Sequence, residues 1–110
     1  MITLLVVAPP EDAEELDSVA ARKPSLELLH ARDVEEALER LSRNRRIDAV
    51  LLLMPPDSVR EIAAVIREED PSAPPLFAPA AIGTVPDVGP LPATTPEELL
   101  AAVTKRLSAG

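Results

Sequence analysis

Cysteine is absent from this chain. No disulfide framework, thiolate nucleophile or thiolate-held zinc is available to it, and thiols give no clue to its redox compartment. Tryptophan and tyrosine are absent as well, which leaves Phe77 as the only aromatic residue. A platform for stacking the bases of single-stranded nucleic acid needs several. Basic charge is scarce, since 11 Lys and Arg stand against 19 Asp and Glu for a formal net charge of -8. Phosphate backbones and anionic headgroups are bound largely through clustered Lys and Arg, so no nucleic acid and no membrane partner is expected. Long hydrophobic runs are missing too. The opening run, Ile2 to Val7, lacks a basic flank and is too short for a secretory signal or a membrane span. A cytoplasmic location is the resulting expectation.

What is present is the material for one core. A chain of 110 residues buries roughly two-thirds of its unfolded surface without metals or disulfides. Residues 1–110 are therefore read as a single domain, with no repeat, low-complexity tract or linker.

Apolar runs alternate with segments of helical period up to about residue 80, the pattern of βαβ units around a parallel sheet. Ile2 to Val7 reads as a strand buried on both faces and stopped by Ala8-Pro9-Pro10. Pro10 then suits the first helical position, with Glu11 and Asp12 in the first turn and Ala13, Leu16, Val19 and Ala20 on one face, for a helix to about Lys23. Leu26 to His30 is a second strand. Asp33 and Glu36 resemble a capping box before Val34, Ala37, Leu38 and Leu41 at helical spacing. Ala49 to Met54 is a third strand closed by Pro55-Pro56, and Ser58 with Glu61 is the expected cap of a third helix carrying Val59, Ile62, Ala63 and Ile66.

Beyond that helix the pattern thins. Leu76 to Ala78 is a short strand between Pro75 and Pro79, and Pro86, Gly89 and Pro90 interrupt the run to Pro92, so a full fourth helix does not fit. Thr95-Pro96-Glu97-Glu98 then supplies an N-cap, a proline at the first helical position and an N3 Glu before a closing helix through Leu99, Ala102, Val103 and Leu107. Ser108-Ala109-Gly110 is expected to fray. The fold class is α/β, a flavodoxin-like three-layer sandwich whose five-stranded parallel sheet has the order 2-1-3-4-5, with helix four shortened or missing. Any site is expected at the carboxyl ends of strands one and three, where that order reverses.

Those ends carry a resemblance. Leu4-Leu5-Val6-Val7-Ala8-Pro9 and Asp48-Ala49-Val50-Leu51-Leu52-Leu53-Met54-Pro55 are similar to the first and third strands of response-regulator receiver (CheY-like) domains. The spacing between Pro9 and Leu53 leaves room for a helix, a strand and a second helix, as that family requires. The resemblance implies that Ala8 and Pro9 stand where receivers have an acidic pair, and Leu53 where they have the phosphate-accepting Asp. It places the family's hydroxyl residue near Ala80 and its Lys near Pro92. None of these five residues offers the required group. A hard Mg²⁺ needs oxygen ligands that Ala8, Pro9 and Leu53 lack, and Leu53 cannot form an acyl phosphate. The resemblance is therefore to a degenerate, pseudo-receiver version of the family, without catalysis, cofactor or Mg²⁺ at the receiver site.

Single candidate residues read as structural. Glu11 and Asp12 favour the positive end of their helix rather than a displaced metal. Asp57 is expected as an N-cap or a solvated loop residue rather than a relocated acceptor. His30, the only histidine, has no ligand set around it in the sequence and no nucleophile to serve. Arg40, Arg43, Arg45 and Arg46 are expected to complement the C-terminal end of the second helix and face water.

The resulting expectation is a phosphorylation-independent signalling or regulatory module of the two-component type, bacterial and cytoplasmic, that works by recognising a protein partner. Met54, Pro55 and Pro56 at the vacant pocket, and Val88, Pro90 and Leu91 in the altered stretch, are the candidate partner-binding residues. Receivers associate through their fourth and fifth helices, so the resemblance carries homodimer formation to the region from Val88 to Leu107. The alternative is a small-molecule or cofactor-binding flavodoxin-like domain using the same crevice. Against it, the loops after strands one and three lack glycines that would let backbone N–H groups approach a phosphate.

Overall fold

Ile2–Val7 forms strand β1, and the side chains of Leu4, Leu5, Val6 and Val7 are all fully buried. Burial on both faces is the lot of a central parallel strand, which is why the run is apolar at consecutive rather than alternate positions. In this computed structural model, which describes residues 2–44 and 46–109, four further strands join it. They are β2 (Leu26–Ala31), β3 (Ala49–Leu52), β4 (Leu76–Pro79) and β5 (Val88–Leu91). All four pairings are parallel and the order is β2-β1-β3-β4-β5. Val7 lies opposite Ala31 on one side and Leu52 on the other, so β1 and β3 end level. The reversal of order between them opens a crevice just outside those ends.

Helices cover both faces. On one face, α1 (Pro10–Ala20) and α4 (Pro96–Ala109) bring Leu16, Leu99, Leu100 and Val103 against Leu4, Val6, Leu51 and Phe77. On the other, α2 (Val34–Arg43) and α3 (Pro56–Glu69) bring Ala37, Leu41, Val59, Ile62 and Ile66 against Leu5, Val7, Val50 and Leu52. Alternate residues of β1 thus belong to opposite cores, as the period of a strand dictates. The architecture is the expected three-layer α/β sandwich. Among the described residues no helix is long and apolar enough to cross a membrane.

Local chemistry accounts for most boundaries. Asp33 accepts the Glu36 N–H at 2.9 Å and so caps α2, while the Glu36 carboxylate reaches past the cap to accept the Arg32 N–H at 2.9 Å. Thr95 accepts the Glu98 N–H at 3.2 Å and donates its hydroxyl to the Glu98 carboxylate at 2.9 Å, closing the start of α4.

Several expected boundaries move. α1 stops at Ala20 rather than Lys23, because the Arg22 and Lys23 N–H groups bond back to Val19 and Ala20 in a tightened last turn. The Ser58–Glu61 cap does not form. α3 starts earlier, at Pro56, with Pro55 as an N-cap that makes no side-chain bond, since a proline at the first helical position has its φ preset and needs no N–H partner. β3 ends at Leu52, two residues short of Met54, although the Leu53 N–H still donates to the Val7 carbonyl at 2.8 Å. The fourth helix is reduced to a single 3-10 turn, Ala80–Ile82. Gly83 behind it has φ 94°, a left-handed region that ends helical propagation and suits glycine. Ser108 and Ala109 continue α4, and Gly110 lies outside the described residues. Pro90 sits within β5, which its place at the sheet edge permits.

Candidate functional site

Three adjacent strands leave the sheet through proline. β1 passes through Ala8 to Pro9, the N-cap of α1, and β3 passes through Leu53 and Met54 to Pro55, the N-cap of α3. β4 ends at Pro79, which precedes the 3-10 turn. The ring of each proline holds φ near its fixed value, here -61° at Pro9 and -57° at Pro55, and so turns extended chain into the first turn of a helix.

Between these three exits and the start of α4 lies a crevice of about 480 Å³. Leu53, Met54, Pro79 and Ile82 contribute its apolar lining from the sheet side, with Leu16 of α1 and Leu99 of α4. Leu16 is fully buried and Leu99 nearly so. Pro9, Pro55 and Pro96 add three rings. The polar side chains that line it are Asp12 and Glu15 of α1, together with Thr94. All three of these residues are exposed and stand at the opening.

The expected pocket residues divide between this crevice and the surface around it. Pro9 and Leu53 line it. Ala8 is buried beside them, its N–H donating to the Ala31 carbonyl at 3.1 Å. Ala80 and Pro92 directly follow β4 and β5, yet both are exposed and neither lines the crevice. Pro79 and Thr94 occupy that part of the wall instead. No carboxylate stands at Ala8, Pro9 or Leu53, and among the described residues no three His, Asp or Glu side chains gather closely enough to hold a metal ion. Ala8, Pro9 and Leu53 supply none of the side-chain oxygens that the near-octahedral Mg²⁺ of receiver domains would take from those positions.

The candidate partner residues also separate. Met54 and Pro55 line the crevice, whereas Pro56 is exposed at the start of α3 and outside it. Val88 and Pro90 border a second, small hollow of about 40 Å³ with Ile82 and Val85. Leu91 is a correction, since it is fully buried in the core and has no surface to offer.

Other expectations change at close range. Asp57 is neither N-cap nor loop but lies in the first turn of α3, 99% exposed and 3.6 Å from Arg60. His30 does have a partner, for its Nε2 lies 2.8 Å from Asp17 Oδ1 on α1, while its buried Nδ1 has no hydrogen-bond partner. Arg40 does more than face water, because its Nε donates to the His30 carbonyl of β2 at 3.2 Å. Arg43 pairs with Glu39 at 3.3 Å and Arg46 is exposed; Arg45 lies outside the described residues. Asp12, Glu15, Pro79, Ile82, Thr94 and Pro96 are crevice residues that sequence reasoning did not assign to the site. Only Asp12 and Glu15 carried a signal, lying one turn before and one residue before Leu16 on the helix that follows β1.

No protein-family model matches the chain, and no curated protein matches it. Among solved structures it is similar to the pseudo-receiver domain of the CikA protein, determined by NMR. The TM-score is 0.60 and the sequence identity 18%, over 97% of this chain and 96% of that one. At that identity the likeness establishes a shared fold, the receiver-like α/β sandwich.

Proposed function

We propose that this chain is a phosphorylation-independent, receiver-like regulatory module that binds another protein and catalyses nothing. The observation that carries the reading is the crevice itself. At the strand ends where receivers do their chemistry, the wall nearest the sheet is proline, leucine, methionine and isoleucine, with Asp12, Glu15 and Thr94 at the opening and no carboxylate at Ala8, Pro9 or Leu53. A carboxylate nucleophile and oxygen ligands for Mg²⁺ are both needed for aspartyl phosphorylation. Apolar surface left open beside polar groups is the usual mark of a binding surface. Homodimer formation through the β5 face has less behind it, since burial of Leu91 removes its largest side chain. A bacterial two-component setting is part of the same proposal.

One observation favours a second reading. A volume of about 480 Å³ falls within the range of small-molecule pockets. Against it, the loops at Pro9 and Pro55 present proline where phosphate-binding loops present N–H groups, and the exposed rim would leave a small ligand open to water. Native mass spectrometry of the purified chain tests this reading, which requires a retained small molecule.

The experiment for the main proposal is an amide NMR titration with Mg²⁺ and beryllofluoride, a phosphoryl mimic. No saturable shift is expected at Ala8, Leu53 or Ala80. Saturable shifts at these amides would overturn the proposal, because they would show that the site still assembles an acyl-phosphate-like complex.

A further inference from the structure

The proposal above leaves open what the crevice recognises. We infer that it takes a short partner segment presenting an apolar side chain flanked by Lys or Arg. This rests on the reading of the chain as a protein-binding module and adds the chemistry of the segment.

Apolar lining and charge point the same way. Leu53, Met54 and Ile82 supply a surface that an aliphatic side chain can cover, and desolvating such surface drives association. The only ionisable groups that line the crevice are the carboxylates of Asp12 and Glu15. They are three residues apart on α1 and therefore on one face of the helix. Neither takes part in an ion pair among the described residues, so both charges are free to meet an incoming cation. Two helix N-termini, of α1 and α3, approach the same opening without side-chain caps. Each contributes about half a positive charge at most, as does the start of α4 at Pro96; Glu11 offsets it on α1 and Glu97 and Glu98 offset it on α4, while Asp57 on α3 is paired with Arg60 at 3.6 Å. The balance at the opening is negative, in keeping with the net charge of -8. An acidic or phosphorylated segment is disfavoured there.

Exposure favours a segment of chain over a free small molecule. A drug-sized ligand has most of its surface buried in its pocket, whereas Asp12, Glu15, Pro55 and Thr94 stand exposed around this opening. A peptide can drop one side chain into the apolar part and leave its backbone across the rim, with a cationic neighbour reaching each carboxylate.

The test uses the full chain and three blocked hexapeptides in amide NMR titrations at low salt. The first carries two central leucines between lysines, the second replaces the lysines by glutamates, and the third replaces the leucines by serines. Saturable shifts at Asp12, Glu15, Leu53, Met54 and Ile82 are expected with the first peptide alone. In the doubly substituted chain Asp12→Asn, Glu15→Gln, the first peptide should bind about 2- to 30-fold more weakly, the loss appropriate to two exposed charge contacts. Both residues are exposed and outside the core, so the unliganded spectrum serves as the check that the variant folds.

The inference falls if the first peptide shifts no crevice amide, if the glutamate peptide binds equally well, or if the substituted chain binds undiminished. It falls too if octylammonium alone reproduces the shifts with equal affinity, which would mark a small-molecule site. The failure of the module reading looks different, since it would appear as saturable beryllofluoride shifts whatever the peptides do.

Discussion

Gly89 of β5 faces the ring of Phe77 across the β4–β5 pairing, where the two residues are directly opposite. A Cβ built at Gly89 would lie 2.9 Å from Phe77 Cδ1 and 3.0 Å from Cε1, with the Leu76 carbonyl oxygen at a comfortable 3.6 Å. The conflict is therefore with the ring alone. Phe77 is only 7% exposed and packs in the core beneath α4, so it has little room to withdraw. Overpacking of this kind costs about 1–3 kcal/mol. Gly89→Ala also narrows the unfolded ensemble, which stabilises by about 0.4–1 kcal/mol where the backbone conformation suits alanine. Gly89 is not among the positive-φ residues, so its backbone does. The net expectation is a loss of about 0–2.6 kcal/mol, which at about 4 °C per kcal/mol for a domain of this size lowers Tm by up to about 10 °C. With no Trp or Tyr in the chain, unfolding is best followed by far-ultraviolet circular dichroism. The decisive form is a double-mutant cycle with Phe77→Val, which removes the δ and ε atoms and keeps a strand-forming residue. In that background Gly89→Ala should be neutral or stabilising. An equal cost in both backgrounds would refute the assignment of the clash to the ring.

Three further outcomes follow from particular contacts. Thr95→Ala removes the oxygen that accepts the Glu98 N–H and should cost about 1 kcal/mol in a urea titration; no change would mean that Pro96 alone starts α4. Leu16→Ala should cost about 2–5 kcal/mol, because the side chain is fully buried, whereas Leu53→Ala, half-buried at the crevice wall, should cost clearly less. The reverse order in chemical denaturation would misplace that wall. The Arg32 backbone N–H, bonded to the Glu36 carboxylate, holds that group below its ordinary value of 4.5, with help from the Arg32 side chain. A lowered folded value means that the contribution of Glu36 is present above the unfolded value and is lost as pH falls through the folded one. Acid titration below about pH 4.5 should therefore narrow the stability gap between the native chain and Glu36→Gln, and a gap that widened on acidification would reverse the sign.

The strands and helices were legible because the central strands are apolar in consecutive runs, as in Leu4 to Val7 and Ala49 to Leu52, and each helix repeats its apolar residues at 3.6. Buried parallel strands impose the first pattern and one-sided burial imposes the second. The errors cluster where proline competes with polar caps. At Ser58 and Glu61 the capping pattern is present, yet Pro56 starts α3 ahead of it. At β3, Leu53 and Met54 continue the apolar run but leave the ladder because the chain must turn toward Pro55. Pro86, Gly89 and Pro90 were enough to show that the segment after β4 lacks a full helix. Its single turn depends on the left-handed backbone at Gly83, a conformation that no periodicity encodes.

That Ala8, Pro9 and Leu53 carry no carboxylate is plain in the sequence, whereas a crevice is made by residues from separate elements. Asp12, Leu16, Pro79, Ile82 and Thr94 come from three separate stretches of chain that only the parallel order brings together. The prolines then set what kind of surface results. Pro9 and Pro55 as N-caps, Pro10 and Pro56 as first helical residues and Pro79 at the end of β4 hold the exits of three adjacent strands at preset φ values. A rim built in this way has less backbone freedom to lose when something binds, and restricted partners keep more of their contact energy as affinity. In phosphorylated switches, by contrast, a charge at the strand ends must bias a movable element. Here a full fourth helix is reduced to one turn, and Ala8, Pro9 and Leu53 at the strand ends carry hydrocarbon side chains. Under the proposed function the two features agree, for a site that is not switched gains by being preformed.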